Sequence, residues 1–230
     1  MIAVVASAAD EGARALRRHR PGGDVRLLTA ADLSTPGWAA TLPGPGRSTA
    51  VVEGELVDVA EISAVLTRLP SVGVDELGHI APAERPYVAA EMNAFLLWWL
   101  AHLACPVVNR PAPPRLSGPA WRPERWCVVA AGLGVPVEPR RRVALPDCVA
   151  ASDEPRPGAA VTVVGTTCIG AVDAVLADRA RLLAAAASVD LLRVTFTGAD
   201  GDARFVGAHA DVELSDERVR DAVLELLERR

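Results

Sequence analysis

One stretch near the end of the sequence carries side chains that could hold a metal ion. His209, Asp211 and Glu213 alternate at strand spacing, so an extended backbone would place them on one face. One imidazole and two carboxylates form a plausible ligand set for a divalent metal. The alternative is a solvent-exposed strand end that leads into a helix cap, and we favour it.

A second group of residues has the chemistry of a peptide-binding surface. Arginine and tryptophan are the usual anchors of protein interfaces, and both types are concentrated in one part of the chain. The alternative is a solvated basic surface with Trp126 in the core. The candidate residues are Trp121, Arg122, Arg125, Trp126, Arg140, Arg141 and Arg142.

The composition of the 230 residues excludes several functions. All 24 basic residues are arginine, so mechanisms that need a lysine, such as Schiff-base formation or a Walker-type phosphate site, are excluded. A net charge of -5 argues against a nucleic-acid partner. The longest mainly apolar run, Ala94–Ala104, contains His102 and is too short to span a membrane.

The cysteines and the start of the chain bear on the cellular location. Cys105, Cys127, Cys148 and Cys168 include no Cys-x-x-Cys pair, so we interpret them as ordinary thiols. Met1 runs directly into a predicted strand without a signal-like leader. We therefore expect a cytoplasmic protein.

The hydrophobic pattern predicts an α/β fold that opens with a βαβ-like unit. Ser7 is the predicted cap of the first helix and Ser215 the cap of the last. The predicted linker lies at residues 153–158. The predicted strands are residues 2–6, 25–28, 49–52, 62–69, 105–109, 160–165, 168–171, 190–196 and 204–209. The predicted helices between the first and the last are residues 84–103, 121–133 and 173–187.

The order of these elements resembles the ATP-grasp ligases that modify ribosomal peptides. The N-terminal resemblance rests on a strand at Val65–Arg68, a long helix with Glu91, and Asn109-Arg110-Pro111 in an Asn-x-Pro turn. The C-terminal resemblance rests on Val161–Gly165 and the two strands after it. Together, the two regions of resemblance imply a pre-ATP-grasp-like domain at residues 1–140 and a truncated ATP-grasp-like lobe at residues 141–230.

The sequence departs from the family where nucleotide chemistry would occur. Family members have a further lobe that supplies the lid and the nucleotide lysines, whereas only residues 143–157 lie between the two regions here. The resemblance places the family's magnesium carboxylates at Thr195, Gly207 and His209. Magnesium prefers hard oxygen ligands, usually carboxylates. We therefore expect no cofactor, no metal and no catalytic residue.

The resemblance also implies a function without ligation. The chain resembles truncated ATP-grasp-like proteins of crocagin-type pathways, which bind a precursor peptide. The expected partners are a ribosomal precursor peptide, a modifying enzyme and a second copy of the chain. An enzyme with a site around His209, or a remnant ligase, is the alternative.

We predict two routes for peptide binding. One uses the arginine and tryptophan residues named above. The other adds a peptide strand to an edge of the C-terminal sheet, near the candidate residues Val161, Val163, Phe205 and His209. We favour the strand route, because it needs no particular side chain.

Overall fold

A computed structural model describes residues 1–20, 24–40, 48–139 and 158–229. The chain forms two compact units, one of Met1–Ala120 with Glu213–Arg230 and one of Trp121–Val212. The first unit therefore contains both ends of the chain. The division at residue 140, which came from the family resemblance, remains a prediction, and so does the linker, because residues 140–157 lie outside the described part.

A parallel four-stranded sheet forms the centre of the first unit. Its strands are β1 (Ile2–Val5), β2 (Val25–Leu28), β5 (Ala64–Thr67) and β6 (Val107–Val108), in the order β2-β1-β5-β6. β1 and β5 are fully buried, as continuous apolar runs in parallel sheets require. The parallel βαβ start predicted from the sequence is confirmed.

The predicted strand at residues 49–52 does not extend this sheet. It is β3 (Thr49–Val52), which pairs in antiparallel register with β4 (Glu55–Asp58) as a separate hairpin. Glu53 (φ 54°) and Gly54 (φ 77°) both occupy the left-handed region. This combination is typical of the type I′ turn, which returns the chain at once and prevents a parallel crossover.

Four helices complete the first unit. They are α1 (Glu11–His19), α2 (Ala30–Leu33), α3 (Arg85–His102) and α6 (Glu217–Glu228). The predicted caps Ser7 and Ser215 are wrong, because carboxylates of Asp10 and Asp216 accept the capping hydrogen bonds of α1 and α6.

One arginine side chain contacts four carbonyl groups at the C-terminal end of α3. Arg110, from the Asn-x-Pro turn, donates to the carbonyls of Leu100, Ala101, Leu103 and Cys105 at 3.2–3.3 Å. These carbonyls belong to the last turn of the helix and the residues after it, where hydrogen-bond partners are otherwise lacking. Within α3, Trp99 is buried and Trp98 packs against Phe95 and His102.

No helix among the described residues is long and apolar enough to cross a membrane.

The second unit is an antiparallel sheet with two helices on one face. Its strands are β7 (Ala159–Val164), β8 (Thr167–Ile169), β9 (Leu191–Phe196) and β10 (Phe205–His209), in the order β10-β9-β7-β8. The helices α4 (Pro123–Gly132) and α5 (Ala174–Ala186) cover the face that carries Leu192, Val194 and Phe196. The predicted hairpin and the predicted helices of this unit are present.

We expect Asp10 to be a main determinant of the stability of the first unit. It caps α1 through the amide of Ala13 at 2.9 Å and pairs with Arg68 at 2.8 and 3.2 Å, and both side chains are about five-sixths buried. Asp10→Ala should lower the free energy of unfolding by about 2 kcal/mol, because it removes a cap and leaves a largely buried guanidinium without this partner. Urea denaturation measures this change. Asp10→Asn, which keeps a capping oxygen, should cost about half as much, and equal losses for the two variants would contradict the role of the charge.

Candidate functional site

The start of α4 brings three of the predicted arginine and tryptophan residues together. The guanidinium of Arg125 lies 4.5 Å from the ring centroid of Trp121, within the range of a cation–π interaction. Trp121 also contacts Trp126, with ring centroids 4.7 Å apart. Trp126 is a core residue, whereas Arg122 and Arg125 are exposed. Trp121, Arg122 and Arg125 therefore form a surface, which we call the α4 cluster. Arg140, Arg141 and Arg142 lie outside the described residues.

The predicted residues in the sheet divide between its two faces. Val161, Val163 and Phe205 are buried beneath α4 and α5, so their side chains are core residues and do not reach the surface. His209 is exposed at the end of β10. Alternation along a strand, which sends neighbouring side chains to opposite faces, is the physical reason for this division.

The structure identifies which strand edge of the second unit is open. β7 pairs with β9 along its whole length and with β8 at residues 162–164, so the part of its backbone beside β8 cannot receive another strand. β10 pairs with β9 and, at Phe205, with the segment around Val137. Within the described residues, β8 is the outer strand at the other side of the sheet.

The edge of β8 is short. Gly165 (φ 57°) and Thr166 connect β7 to β8 as a two-residue turn, and in such hairpins the residues beside the turn form the hydrogen-bonded pair. The N–H and C=O of Cys168 therefore point away from β7. A peptide would gain only a few main-chain hydrogen bonds along three residues.

The positions where the resemblance places magnesium ligands face one another across two strands. In the register of β9 with β10, Thr195 lies opposite Gly207 and Arg193 lies opposite His209. All four project from the face of the sheet opposite α4 and α5. Neither β9 nor β10 contains a carboxylate. The guanidinium of Arg193 favours an anion over a divalent cation on this face.

The metal set built from His209, Asp211 and Glu213 does not follow from the structure. β10 ends at His209, so the strand alternation that would align the three side chains does not continue. Among the described residues, no group of three histidine, cysteine or acidic side chains could hold a metal ion. The favoured alternative, in which the strand ends and a helix cap follows, agrees with the cap at Asp216.

Cys168 shows that the edge strand is packed on its inner side. Its thiol contacts the carbonyl oxygen of Ala177 in α5 at 3.5 Å. Burial raises the pKa of the Cys168 thiol above its usual value, because the thiolate loses solvation. Cys105, Cys127 and Cys168 are all free thiols.

The first unit contains a basic cleft that the sequence analysis missed. It has a volume of about 920 Å³ and runs along the outer edge of β2. Its lining includes two glutamates, Glu53 and Glu55, and the arginines Arg14, Arg17, Arg18, Arg20 and Arg26. The available signal was the three- and four-residue spacing of the arginines in α1, which places them on one side of a helix.

The two sheets with their covering helices define an ATP-grasp-like α/β fold. Solved structures that share it include the macrocyclase MdnC bound with precursor peptide MdnA from Microcystis aeruginosa, at TM-score 0.73 and 11% identity over 98% of each chain. A Chryseobacterium gregarium RiPP-associated ATP-grasp ligase in complex with ADP and a leader and core peptide matches at TM-score 0.68 and 11% identity, covering 99% of this chain and 96% of the ligase.

The ATP-grasp ligase PsnB, complexed with a minimal precursor, magnesium and ADP, also has this fold, with TM-score 0.62 and 15% identity over 99% of this chain and 98% of PsnB. No protein-family model and no curated protein matches the sequence. The predicted ATP-grasp-like fold is thereby confirmed. The missing lid remains a prediction.

We expect Cys168 to react slowly with alkylating agents. A raised pKa leaves less thiolate near neutral pH, and the thiolate is the nucleophile. At pH 7.5, iodoacetamide should modify Cys168 at least tenfold more slowly in the folded protein than in urea, as followed by peptide mass spectrometry. The rate should rise as pH increases toward the raised pKa. Equal rates in the folded and unfolded protein would show that β8 is not packed on α5.

Proposed function

We propose that this protein binds a ribosomal precursor peptide in RiPP biosynthesis, does not ligate it, and presents it to a modifying enzyme. The solved structures that share its fold include ligases in complex with precursor peptides. The protein thus has the fold of proteins whose substrate is a peptide.

The paired positions on β9 and β10 carry the argument against ligation. A ligase that holds magnesium between nucleotide phosphates needs carboxylates, because magnesium requires hard oxygen ligands. The in-register pair here is Thr195 and Gly207, with Arg193 and His209 beside them. A hydroxyl, an imidazole and a guanidinium can donate hydrogen bonds to a peptide, but they make a poor magnesium site.

The α4 cluster and the edge of β8 are the two candidate contact surfaces of the second unit. The α4 cluster offers a tryptophan ring with a guanidinium stacked on it, a combination that binds peptide side chains well. The edge of β8 offers main-chain groups at Cys168. We favour the α4 cluster of these two, because β8 is only three residues long.

Calorimetry with the precursor peptide encoded beside the gene tests the proposed function. We expect saturable binding in the micromolar range, with no change in peptide mass after incubation with ATP and magnesium. Absence of binding would contradict the peptide-binding function, and a dehydrated product would contradict the non-catalytic one. ATP with magnesium alone should leave the melting temperature unchanged, since tight binding would raise it.

Two pairs of variants locate the contact surface in the same assay. Trp121→Ala with Arg125→Ala should weaken binding at least tenfold if the α4 cluster holds the peptide. Cys168→Pro removes the outward N–H of β8, and Cys168→Ala is its matched control. Loss of affinity in Cys168→Pro alone would favour the strand edge instead.

We also propose that the protein is a homodimer. The expectation rests on the family resemblance and on the tryptophans of α3, of which Trp98 is half-buried rather than buried. Light scattering at tens of micromolar should give a mass near twice the 24.1 kDa of the chain. A mass near 24.1 kDa would contradict the proposal.

A further inference from the structure

β2 is the outer strand at one side of the parallel sheet. The carbonyls of Asp24 and Leu28 accept from the amides of Ile2 and Ala6, so the alternation of a strand directs the main-chain groups of Val25 and Leu27 away from the sheet. No strand pairs with this edge within the described residues. Four residues span about 13 Å at 3.3 Å per residue, which is enough to pair with a short extended peptide.

A carboxylate of the protein itself occupies this edge. Glu53 accepts a hydrogen bond from the N–H of Leu27 at 3.2 Å. The same carboxylate binds the guanidinium of Arg17 at 2.8 and 3.1 Å. Glu53 thus satisfies one strand-edge donor and one arginine at once. A carboxylate on a peptide strand beside β2 could make the same two contacts.

The position of Glu53 is fixed by a buried aspartate. Asp32 accepts from the amide of Gly54 at 2.8 Å and from the amide and hydroxyl of Thr29 at 2.8 and 2.9 Å. Thr29 directly follows β2, so this network ties the β3–β4 turn to the strand whose edge Glu53 covers. The left-handed backbone of Glu53 is unusual for a glutamate, and the turn holds it there.

The charges around the edge favour an acidic ligand. Five arginines and two glutamates line the cleft, and Glu11 and Glu228 pair with lining arginines, which leaves an excess of one positive charge in a protein whose net charge is -5. Arg14, Arg17 and Arg20 form ion pairs with Glu11, Glu53 and Glu228. Arg26, on β2 itself, is half-buried and forms no ion pair with any described residue. A partly desolvated guanidinium without a carboxylate partner is a strong attractor for one.

We propose that the cleft binds an extended acidic peptide segment along the edge of β2, and that a carboxylate of this segment displaces Glu53 from Leu27 and Arg17. This inference rests on the proposed function, because it takes the ligand to be a peptide. It adds that the bound segment is acidic and that it binds at the edge of β2. Main-chain pairing with Val25 and Leu27 supplies the register, and Arg26 and Arg17 select acidic side chains.

Fluorescence anisotropy with a synthetic probe tests this proposal. The probe is a fluorescein-labelled octapeptide of alternating glutamate and valine, and the control probe has glutamine in place of glutamate. The protein should bind the acidic probe and should bind the control at least tenfold more weakly. Raising the salt from 25 to 150 mM should weaken binding of the acidic probe, because exposed charges are screened. Equal affinity for both probes would overturn the proposal.

Three variants make the test specific to the cleft. Arg26→Glu should lower affinity for the acidic probe at least tenfold without loss of fold, because Arg26 has no ion pair with the described part of the chain. Glu53→Gln keeps the side-chain length and one acceptor but removes the competing charge, so it should raise affinity severalfold. Arg218→Ala removes an exposed arginine of α6 that pairs with Asp216 and does not line the cleft, and it should change affinity less than twofold.

The outcomes distinguish this proposal from the proposed function. If Arg26→Glu has the circular dichroism spectrum of the wild type and binds the probe with unchanged affinity, the proposal that the cleft binds the peptide is wrong. The calorimetric result with the precursor would still decide the proposed function. Displacement of the acidic probe by 10 mM inorganic phosphate at constant ionic strength would also overturn it, since a simple anion site would then explain binding. Arg26-dependent binding of the probe supports the cleft even if the precursor does not bind.

Discussion

The parallel pairing of β1 on both sides is the constraint on which the first unit depends. β1 has neighbours in β2 and β5 and is buried along its whole length. Parallel strands need helical crossovers and cover on both faces, so α1 must return along the sheet before β2 begins. β2 is then an outer strand by topology, and its outward main-chain groups need partners that the sheet does not supply.

The hairpin of β3 and β4 supplies a partner for one of these main-chain groups, the amide of Leu27. Its type I′ turn places Glu53 at the amide of Leu27, and Asp32 holds the turn through Gly54. An exposed strand edge is a liability, and natural proteins commonly protect such edges with charged groups. A carboxylate that pairs with Arg17 is a weaker cover than a paired strand, because it can be exchanged for another carboxylate.

The two faces of the sheet in the second unit differ in what they contribute to its core. Its sheet is held by the core beneath α4 and α5, to which Phe196 and Phe205 contribute. The residues of β9 and β10 on the opposite face contribute little to that core. Thr195, Gly207 and His209 are therefore not required by that core. The core thus depends on one face of these strands and leaves the residues of the opposite face unconstrained by packing.

The sequence by itself determined most of the elements and the class of fold. Apolar runs such as residues 2–5 and the helical period of residues 85–102 are local signals, and they were sufficient to predict the strands and the long helix. Tertiary structure decided which strands pair, which edge stays open and which side chains meet. Glu53 contacts Arg17 and Leu27 from 36 and 26 residues away, and Thr195 faces Gly207 only through the register of β9 with β10. Such contacts depend on turn geometry and packing over the whole unit, and no local pattern records them.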